Sequence, residues 1–224
     1  MKKILLILTV LGIAAGVYAE GQQEEAAAAA SAPVVGVVEY LDGDVLIDGV
    51  QADFGMKVGY GAVVETGVDS YCEIKFDGKN VFRLRESTIA EIKLSVEQPE
   101  IAVKKGTFAA VFNKLEKLTT GQPFKVRTQT TVAGVRGTAF FVKAIDENNT
   151  YICICNGELA IGLTDGTEMD DPDMKTMKSG YHLAYYHRRV NGETVIEKAS
   201  LEHHTNEEME MLADHIGDNI EWYY

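Results

Sequence analysis

From residue 34 onward, apolar and polar side chains alternate in short runs that are separated by turn residues. Residues 71–76 and 124–129 show this period of two most clearly. Successive side chains of a β-strand point to opposite faces, so a period of two is typical of a half-buried strand. The pattern predicts a body made of strands rather than helices.

Pairs of aspartate or asparagine with glycine lie between several of the predicted strands. Such pairs at 42–43, 48–49, 77–78, 156–157 and 191–192 predict tight turns, with a type I′ turn at Asn156-Gly157. The predicted strands cover residues 35–40, 45–47, 62–66, 71–76, 81–84, 89–96, 101–103, 106–112, 124–129, 139–142, 149–155, 158–163, 181–190 and 193–197. Many short strands without intervening helices predict an all-β fold, an antiparallel β-sandwich or β-roll.

The stretch from Phe124 to Lys143 contains two glycines, Gly134 and Gly137, between two apolar runs. Glycine inside a strand commonly marks a bulge, a corner or a close backbone approach. The stretch is therefore predicted to be a strand, a glycine corner at residues 133–138, and a second strand.

The pattern changes after residue 199. Thr205 and Glu208 have the spacing of a capping box, and the apolar residues that follow lie on one helical face. An amphipathic α-helix is predicted over about residues 206–222. The C-terminal acidic segment, residues 199–224, would pack on a β-domain formed by residues 34–198.

The N-terminal residues have the pattern of a secretory signal. Lys2 and Lys3 precede an apolar run over residues 4–17, and small residues end at Ala19. We expect a cleaved signal peptide at residues 1–19, an alanine-rich disordered spacer at 20–33, and a periplasmic or secreted protein with no stable membrane span after cleavage. An uncleaved N-terminal anchor is the alternative. A lipidated N-terminal cysteine is excluded, because Cys72 is the first cysteine in the chain.

The net charge of −13 argues against binding to nucleic acid or to an anionic membrane surface. The charge is unevenly distributed, because residues 101–143 are strongly basic and residues 200–224 contain acids but no lysine or arginine. We expect the acidic segment to lie near the basic strands. The alternative is a basic face in which Arg127, Arg136 and Lys143 bind an anionic glycan or a ferric chelate.

The three cysteines offer no clear pairing. Cys153 and Cys155 lie on one face of a predicted strand and are expected to be buried as small apolar side chains. A disulfide from Cys72 to one of them is the alternative. No metal site and no cofactor are expected, since no histidine follows the cysteines at ligand spacing. The five histidines are interpreted as surface residues, with His204, Glu208 and His215 on one helical face.

Sequence motifs for catalysis are missing from the chain. It contains no G-x-S-x-G, no H-E-x-x-H and no phosphate-binding glycine loop. A non-enzymatic protein is therefore expected, with a hydrolase built from dispersed residues as the alternative. The acidic residues at 165–173 match no ordered calcium loop and are interpreted as a solvated loop.

Several motifs, taken in order, resemble the FecR domain. They are Thr66-Gly67-x-x-Ser70, Asp77-Gly78 between apolar strands, Thr88, Val135-Arg136-Gly137-Thr138-x-Phe140-x-Val142, and the segment from Thr150 through Gly157 to Ile161. The resemblance covers roughly residues 35–163 and implies an all-β extracytoplasmic module with some solenoid-like winding. It also implies that Thr66, Gly67, Ser70, Gly78, Thr88, Gly137, Thr138 and Gly157 are family residues with structural roles.

The resemblance implies a role in protein binding and signalling, since the best-known FecR proteins regulate sigma factors across the inner membrane. Those regulators carry a cytoplasmic segment before the membrane helix, whereas only three residues precede the apolar run here. We therefore expect an exported scaffold that binds an envelope or outer-membrane protein, with an anchored sigma-factor regulator as the alternative. The oligomeric state is left open.

Overall fold

The computed structural model describes residues 34–95, 98–113, 115, 123–164 and 174–223, and the side chain of Arg136 lies outside this description. The predicted signal peptide, the spacer and the acidic loop at 165–173 also lie outside the described residues. Among the described residues, no helix is long and apolar enough to cross a membrane.

The described chain forms fifteen strands and one helix. The elements are β1 (Gly36–Asp42), β2 (Val45–Ile47), β3 (Val50–Gln51), β4 (Lys57–Val58), β5 (Ala62–Thr66), β6 (Tyr71–Phe76), β7 (Asn80–Leu84), β8 (Ile89–Lys93), β9 (Glu100–Phe112), β10 (Phe124–Arg127), β11 (Thr131–Asp146), β12 (Asn149–Leu163), β13 (Lys175–Ser179), β14 (Leu183–Val190), β15 (Glu193–Ala199) and α1 (Asn206–Asp214).

The strands form one extended sheet with a branch. The main path runs β15-β14-β12-β11-β10-β9-β7-β6-β1-β4, and β8, β5, β2 and β3 form a branch that begins at β9. Within the described residues, every pairing is antiparallel except that of β9 with β10. The prediction of an all-β fold with one helix is confirmed.

The predicted glycine corner is a bulge inside a single long strand. β11 continues through Gly134 and Gly137, and its register with β12 shifts between Val135 and Thr138. Gly137 (φ +112°) and Gly157 (φ +118°) adopt backbone angles that L-residues rarely take. The type I′ turn predicted at Asn156-Gly157 is wrong, because β12 runs through both residues and the positive φ of Gly157 belongs to the bulge.

Three further local predictions need correction. Residues 101–112 form the one strand β9 instead of two, β13 was not predicted, and the turn at 42–43 does not pair β1 with β2. In β9, residues 107–112 are all buried, so both faces of this part of the strand are covered. The half-buried Gly106 directly precedes it. Burial on both faces removes the apolar–polar alternation by which a strand is recognised.

One face of the sheet encloses a core of phenylalanine rings. Its six rings are Phe76, Phe82, Phe108, Phe112, Phe124 and Phe140. Neighbouring rings have centroids 4.9–6.4 Å apart, in stacked, tilted and edge-to-face arrangements. Large aromatic side chains bury much apolar surface, so this cluster supplies much of the stabilisation of the β-domain.

The opposite face of the sheet, on β7, β9, β11 and β12, forms a second core. Phe140 packs in the first core, whereas its neighbours Ala139 and Phe141 pack in the second. Cys153, Tyr151 and the helix residue Leu212 also belong to the second core. The C-terminal segment therefore covers a sheet face that would otherwise be exposed.

The helix is shorter than predicted. It ends at Asp214, Gly217 takes a positive φ of +66°, and the amide of Asp218 donates to the carbonyl of Ala213 over 3.1 Å. Ile216, Ile220 and Trp222 still pack against the second core, from a turn and an extended segment. The apolar positions after residue 214 therefore reflect packing and not helical periodicity.

Candidate functional site

Two cysteines and two histidines meet at the boundary between the sheet and the C-terminal segment. Cys153 and Cys155 lie on one face of β12. His182 directly precedes β14, which pairs with β12, and its amide donates to the carbonyl of Cys155 over 3.1 Å. His204 directly precedes the N-cap residue of α1, Thr205. We call these four residues the Cys–His cluster.

The ligand-type atoms of the Cys–His cluster all lie within 4.8 Å of one another. The Sγ atoms of Cys153 and Cys155 are 4.0 Å apart. The Sγ of Cys153 lies 3.5 Å from Nδ1 of His182, and the Sγ of Cys155 lies 3.3 Å from Nε2 of His204. Sulfur and imidazole nitrogen are the ligands that zinc and similar metals prefer in proteins, so this arrangement could hold a metal ion.

Both imidazoles are oriented by a bond at their second nitrogen. Nε2 of His182 lies 2.8 Å from Oδ1 of Asn206, and Nδ1 of His204 lies 2.9 Å from the carbonyl oxygen of Glu202. An amide oxygen and a backbone carbonyl oxygen both accept hydrogen bonds and donate none, so each accepts from an imidazole N–H. The nitrogen that faces the cysteines is therefore the one left with a lone pair in the neutral ring.

The two thiols differ in acidity. A hydrogen bond from Cys155, followed by the imidazoles of His182 and His204, lowers the pKa of Cys153 to about 4 against the opposing effect of burial. Burial and the neighbouring Cys153 raise the pKa of Cys155 well above its usual value. Burial opposes protonation of His182, but its bond to Cys153 raises the pKa of this imidazole. The neighbours of the two thiols therefore shift their pKa values in opposite directions.

Aromatic rings enclose the cluster. Phe141 stacks on His204 with centroids 4.3 Å apart, and Trp222 stacks on His182 at 4.8 Å. Both cysteines are fully buried, His204 is buried and His182 is half-buried. The cluster is therefore shielded from solvent on most sides and approachable from the side of His182.

The expectation for the cysteines is confirmed, because Cys72, Cys153 and Cys155 are all buried and free. The interpretation of the histidines as surface residues is wrong for His187 and His204, which are buried. The shared helical face of His204 and His215 is also wrong, since His204 precedes the helix. Ligand spacing could not reveal the cluster, because His182 and His204 are 29 and 49 residues from their cysteine neighbours.

Of the predicted binding residues, Arg127 and Lys143 lie at different places along the sheet. Arg127 is buried and its Nε lies 3.2 Å from the carboxylate of Glu100. Lys143 lies at the far end of β11, where its Nζ is 3.5 Å from Nδ1 of His203. Arg127 ends β10 opposite Val132 of β11, whereas the backbone of Arg136 lies within β11, and the side chain of Arg136 lies outside the described residues.

One acid of the C-terminal segment pairs with two arginines that lie before the basic stretch. Glu208 of α1 approaches Arg83 at 3.7 Å and Arg85 at 3.4 Å. Arg83 also donates from Nε to the buried Glu73 over 2.8 Å, and Nδ1 of His215 lies 2.6 Å from the same carboxyl group. These contacts therefore join the C-terminal segment to β6 and to the end of β7, and none of them involves β10.

The family residues that resemble FecR motifs make bonds between distant parts of the chain. The amide of Thr88 donates to the hydroxyl of Thr66 over 2.9 Å, and the amide of Thr107 donates to the hydroxyl of Thr88 over 2.9 Å. Thr138 donates its hydroxyl proton to the carbonyl of Glu158 over 2.6 Å. The partners of Thr66 and Thr138 lie 19 to 22 residues away, so these hydroxyls connect separate segments instead of closing local turns.

Other family residues occupy tight turns. The hydroxyl of Ser70 donates to the carbonyl of Val68 and accepts from the amide of Asp44, both over 2.9 Å. Gly67 donates to the carbonyl of Asp44 over 2.8 Å, and Gly78 (φ +69°) lies in the turn from β6 to β7. These residues position backbone and do not converge on a ligand pocket.

The sheet ends at β15 on one side. This strand pairs with β14, and no other described strand pairs with it. Val195 and Ile196, at its centre, are 44% and 50% exposed and point to opposite faces. An exposed edge strand is a template for pairing with another chain.

Comparisons with known proteins agree with the sequence motifs. Residues 62–168 match the family described as FecR protein. Two crystal structures of a protein described as a candidate anti-sigma factor from Parabacteroides distasonis are similar, with 16% identity and a TM-score of 0.47. The match covers 62% of this chain and 60% of that one, so it spans less than two thirds of the neighbour. No curated protein matches the chain.

The matched region begins at β5 and extends through β12. It includes the long strands β9, β11 and β12 and the hydrogen bonds of Thr66, Thr88 and Thr138. The motifs, the all-β architecture and the family match point to the same assignment. The chain therefore carries a FecR domain, over residues 62–168.

Proposed function

We propose that this protein is an exported, non-enzymatic FecR-domain protein that binds an envelope protein through the outer edge of β15. FecR proteins are associated with signalling at the bacterial envelope, which supports a role in regulation or in envelope organisation. The single observation that carries the binding site is the edge of β15, which is partly apolar and pairs with no described strand other than β14.

The geometry of the hairpin formed by β14 and β15 determines which backbone groups of β15 can bond to a partner strand. Asn191 and Gly192 have φ of +55° and +85°, which is typical of a two-residue type I′ turn. In such a hairpin the closing pair, Val190 and Glu193, is hydrogen-bonded, and the bonded pairs then alternate. Thr194, Ile196 and Lys198 therefore direct their amide and carbonyl groups away from β14, toward a partner strand.

The charges on β15 favour a different protein as partner over a second copy. Glu193, Glu197 and Lys198 flank the apolar centre of the strand. Charged residues on an edge strand disfavour indiscriminate pairing between identical sheets. A partner that adds one strand with complementary charges would satisfy both the backbone groups and the flanking side chains.

Photo-crosslinking in cells that naturally make the protein tests this proposal. A photoreactive side chain replaces Ile196 in the full chain, and Val68, which is 74% exposed on a loop between β5 and β6, provides the control position. We expect one discrete adduct with another protein from position 196 and not from position 68. Thr194→Pro, which removes a neighbouring outward amide, should reduce this adduct.

Two results would contradict the edge as the binding site. The first is equal crosslinking from both positions. The second is an adduct of the 196 variant with the mass of two copies of the chain, which would show self-association instead of capture of a different protein.

A further inference from the structure

We propose that the Cys–His cluster binds one Zn²⁺ ion in a tetrahedral site that fastens the C-terminal segment to the sheet. The site would take its ligands from Cys153, Cys155, His182 and His204. They come from three separate parts of the chain, namely β12, the segment before β14 and the segment before α1. This inference is independent of the proposed binding at β15.

The distances fit a zinc tetrahedron. Zinc bonds of about 2.3 Å to sulfur and about 2.0 Å to nitrogen place two sulfurs about 3.8 Å apart and a sulfur and a nitrogen about 3.5 Å apart. The observed separations are 4.0 Å between the two Sγ atoms, 3.5 Å from Cys153 to His182, and 3.3 Å from Cys155 to His204. These three separations match a tetrahedron, and all four ligand atoms lie within 4.8 Å of one another.

The hydrogen bonds around the cluster are those of metal-binding histidines. Such histidines usually donate the proton of their second nitrogen to an oxygen, which fixes the ring and leaves the first nitrogen free for the metal. Asn206 accepts from His182 in this way, and the carbonyl of Glu202 accepts from His204. Both free nitrogens then face the two sulfurs.

A disulfide between the two cysteines fits the geometry poorly. Residues two apart on a strand have Cα atoms about 6.6 Å apart and parallel side chains, at the limit for a disulfide. The Sγ atoms are 4.0 Å apart, about twice the length of an S–S bond. Cys72 lies in the other core and is not a member of the cluster.

The ligand set favours zinc among the common divalent ions. Two thiolates and two imidazoles in a closed tetrahedral shell are typical of structural zinc sites, which keep no open position for catalysis. Binding releases the thiol protons of Cys153 and Cys155 to solvent, so that two thiolates balance the charge of the ion. The stacked rings of Phe141 and Trp222 complete the shell around the histidines.

Titration of the reduced, metal-free full chain with Co²⁺ and then with Zn²⁺ tests the proposal. We expect one equivalent of Co²⁺ to give the visible absorption of a tetrahedral thiolate site and Zn²⁺ to displace it. Trp222 is the only tryptophan of the chain and stacks on His182, so its fluorescence should change in step with the absorption.

Variants distinguish the site from adventitious binding. Cys155→Ser should abolish binding of one equivalent, whereas Cys72→Ala, which removes the cysteine outside the cluster, should leave it unchanged. Asn206→Ala keeps all four ligands and should weaken the affinity for Zn²⁺ by about 10- to 100-fold, as is usual when an orienting partner of a ligand is lost.

Three results would overturn the proposal. They are a reduced wild-type chain that gives no tetrahedral Co²⁺ spectrum, equal affinities for Zn²⁺ in wild type and Asn206→Ala, and a Cys153–Cys155 disulfide in the protein as exported. The Asn206 result remains decisive even where Cys155→Ser fails to fold.

Discussion

Nε2 of His204 lies 3.3 Å from Sγ of Cys155, although 49 residues separate them in the chain. This contact joins the C-terminal segment to the centre of β12. Around it, Phe141, Tyr151 and Leu212 form the second core of the sheet. Strands β9, β11 and β12 of the FecR domain thus contribute side chains to both cores, and the segment after β15 covers the second core.

Removal of a helix side chain from the second core should destabilise the whole protein. Leu212 is fully buried, whereas its neighbour Met211 is 50% exposed. Leu212→Ala should lower the free energy of unfolding by about 2–5 kcal/mol, because it leaves a cavity. Met211→Ala should change it by less than about 1 kcal/mol. Urea unfolding of both variants measures the difference, and equal effects would show that α1 does not close the core.

Loss of Arg83, which lies beside Glu73, should strongly destabilise the folded protein. Glu73 is fully buried and accepts from Arg83 over 2.8 Å, so Arg83→Ala would leave a buried carboxylate short of a partner. We expect a loss of about 3–5 kcal/mol in the free energy of unfolding. Arg188, which pairs with Glu197 on the surface, provides the control, and Arg188→Ala should cost less than about 1 kcal/mol.

Two glycines with similar backbone angles should respond differently to alanine. Gly106 (φ +92°) and Gly192 (φ +85°) both take values that L-residues disfavour. A Cβ at Gly106 would lie 2.5 Å from Cα of Thr88, whereas a Cβ at Gly192 would meet nothing within 4 Å. Gly192→Ala should cost about 1–2 kcal/mol and Gly106→Ala clearly more, as measured by thermal unfolding. Similar melting temperatures for the two variants would contradict the close contact at Thr88.

Acid should destabilise the protein through His187. Burial lowers the pKa of His187 to about 4, against 6.5 in an unfolded chain, and its Nε2 has no hydrogen-bond partner among the described residues. Between pH 6.5 and pH 4 the unfolded chain takes up a proton that the folded chain does not. The free energy of unfolding should therefore decrease as the pH is lowered from 6.5 to 4, by about 3 kcal/mol from His187 alone.

The matched variant for this prediction is His187→Asn. Asparagine does not titrate and can still bond to the hydroxyl of Thr131, which lies 2.7 Å from Nδ1 of His187. The slope of unfolding free energy against pH should become smaller in this variant. An unchanged slope would assign the acid sensitivity to other groups.

Sequence patterns predicted the strands that have alternating apolar and polar residues or clear turn residues at their ends. β6 and β7 and the hairpin of β14 and β15 were located from alternation and from their turn residues. β9 and β12 were divided in the prediction, because strands buried on both faces lose alternation and because Gly106 and Gly157 look like turns. Gly157 serves instead as a bulge opposite Thr138, a role that depends on a neighbouring strand.

The Cys–His cluster could not be found from spacing. Cys153 and Cys155 were predicted to share a face, but the histidines reach them only because β14 pairs with β12 and because the helix packs on the second core. The residues Arg127 and Lys143 were singled out by charge alone, and the structure separates them along the sheet. Local pattern therefore predicted the elements, whereas the site depends on long-range pairing.

The most direct test of the claim that zinc holds the C-terminal segment on the sheet is native mass spectrometry of the protein purified from cells that naturally make it. The account predicts a species heavier than the metal-free chain by one zinc ion less two protons, which reverts to the metal-free mass when the protein is unfolded in acid. A natively folded protein found only at the metal-free mass, with its three cysteines reduced, would contradict the account.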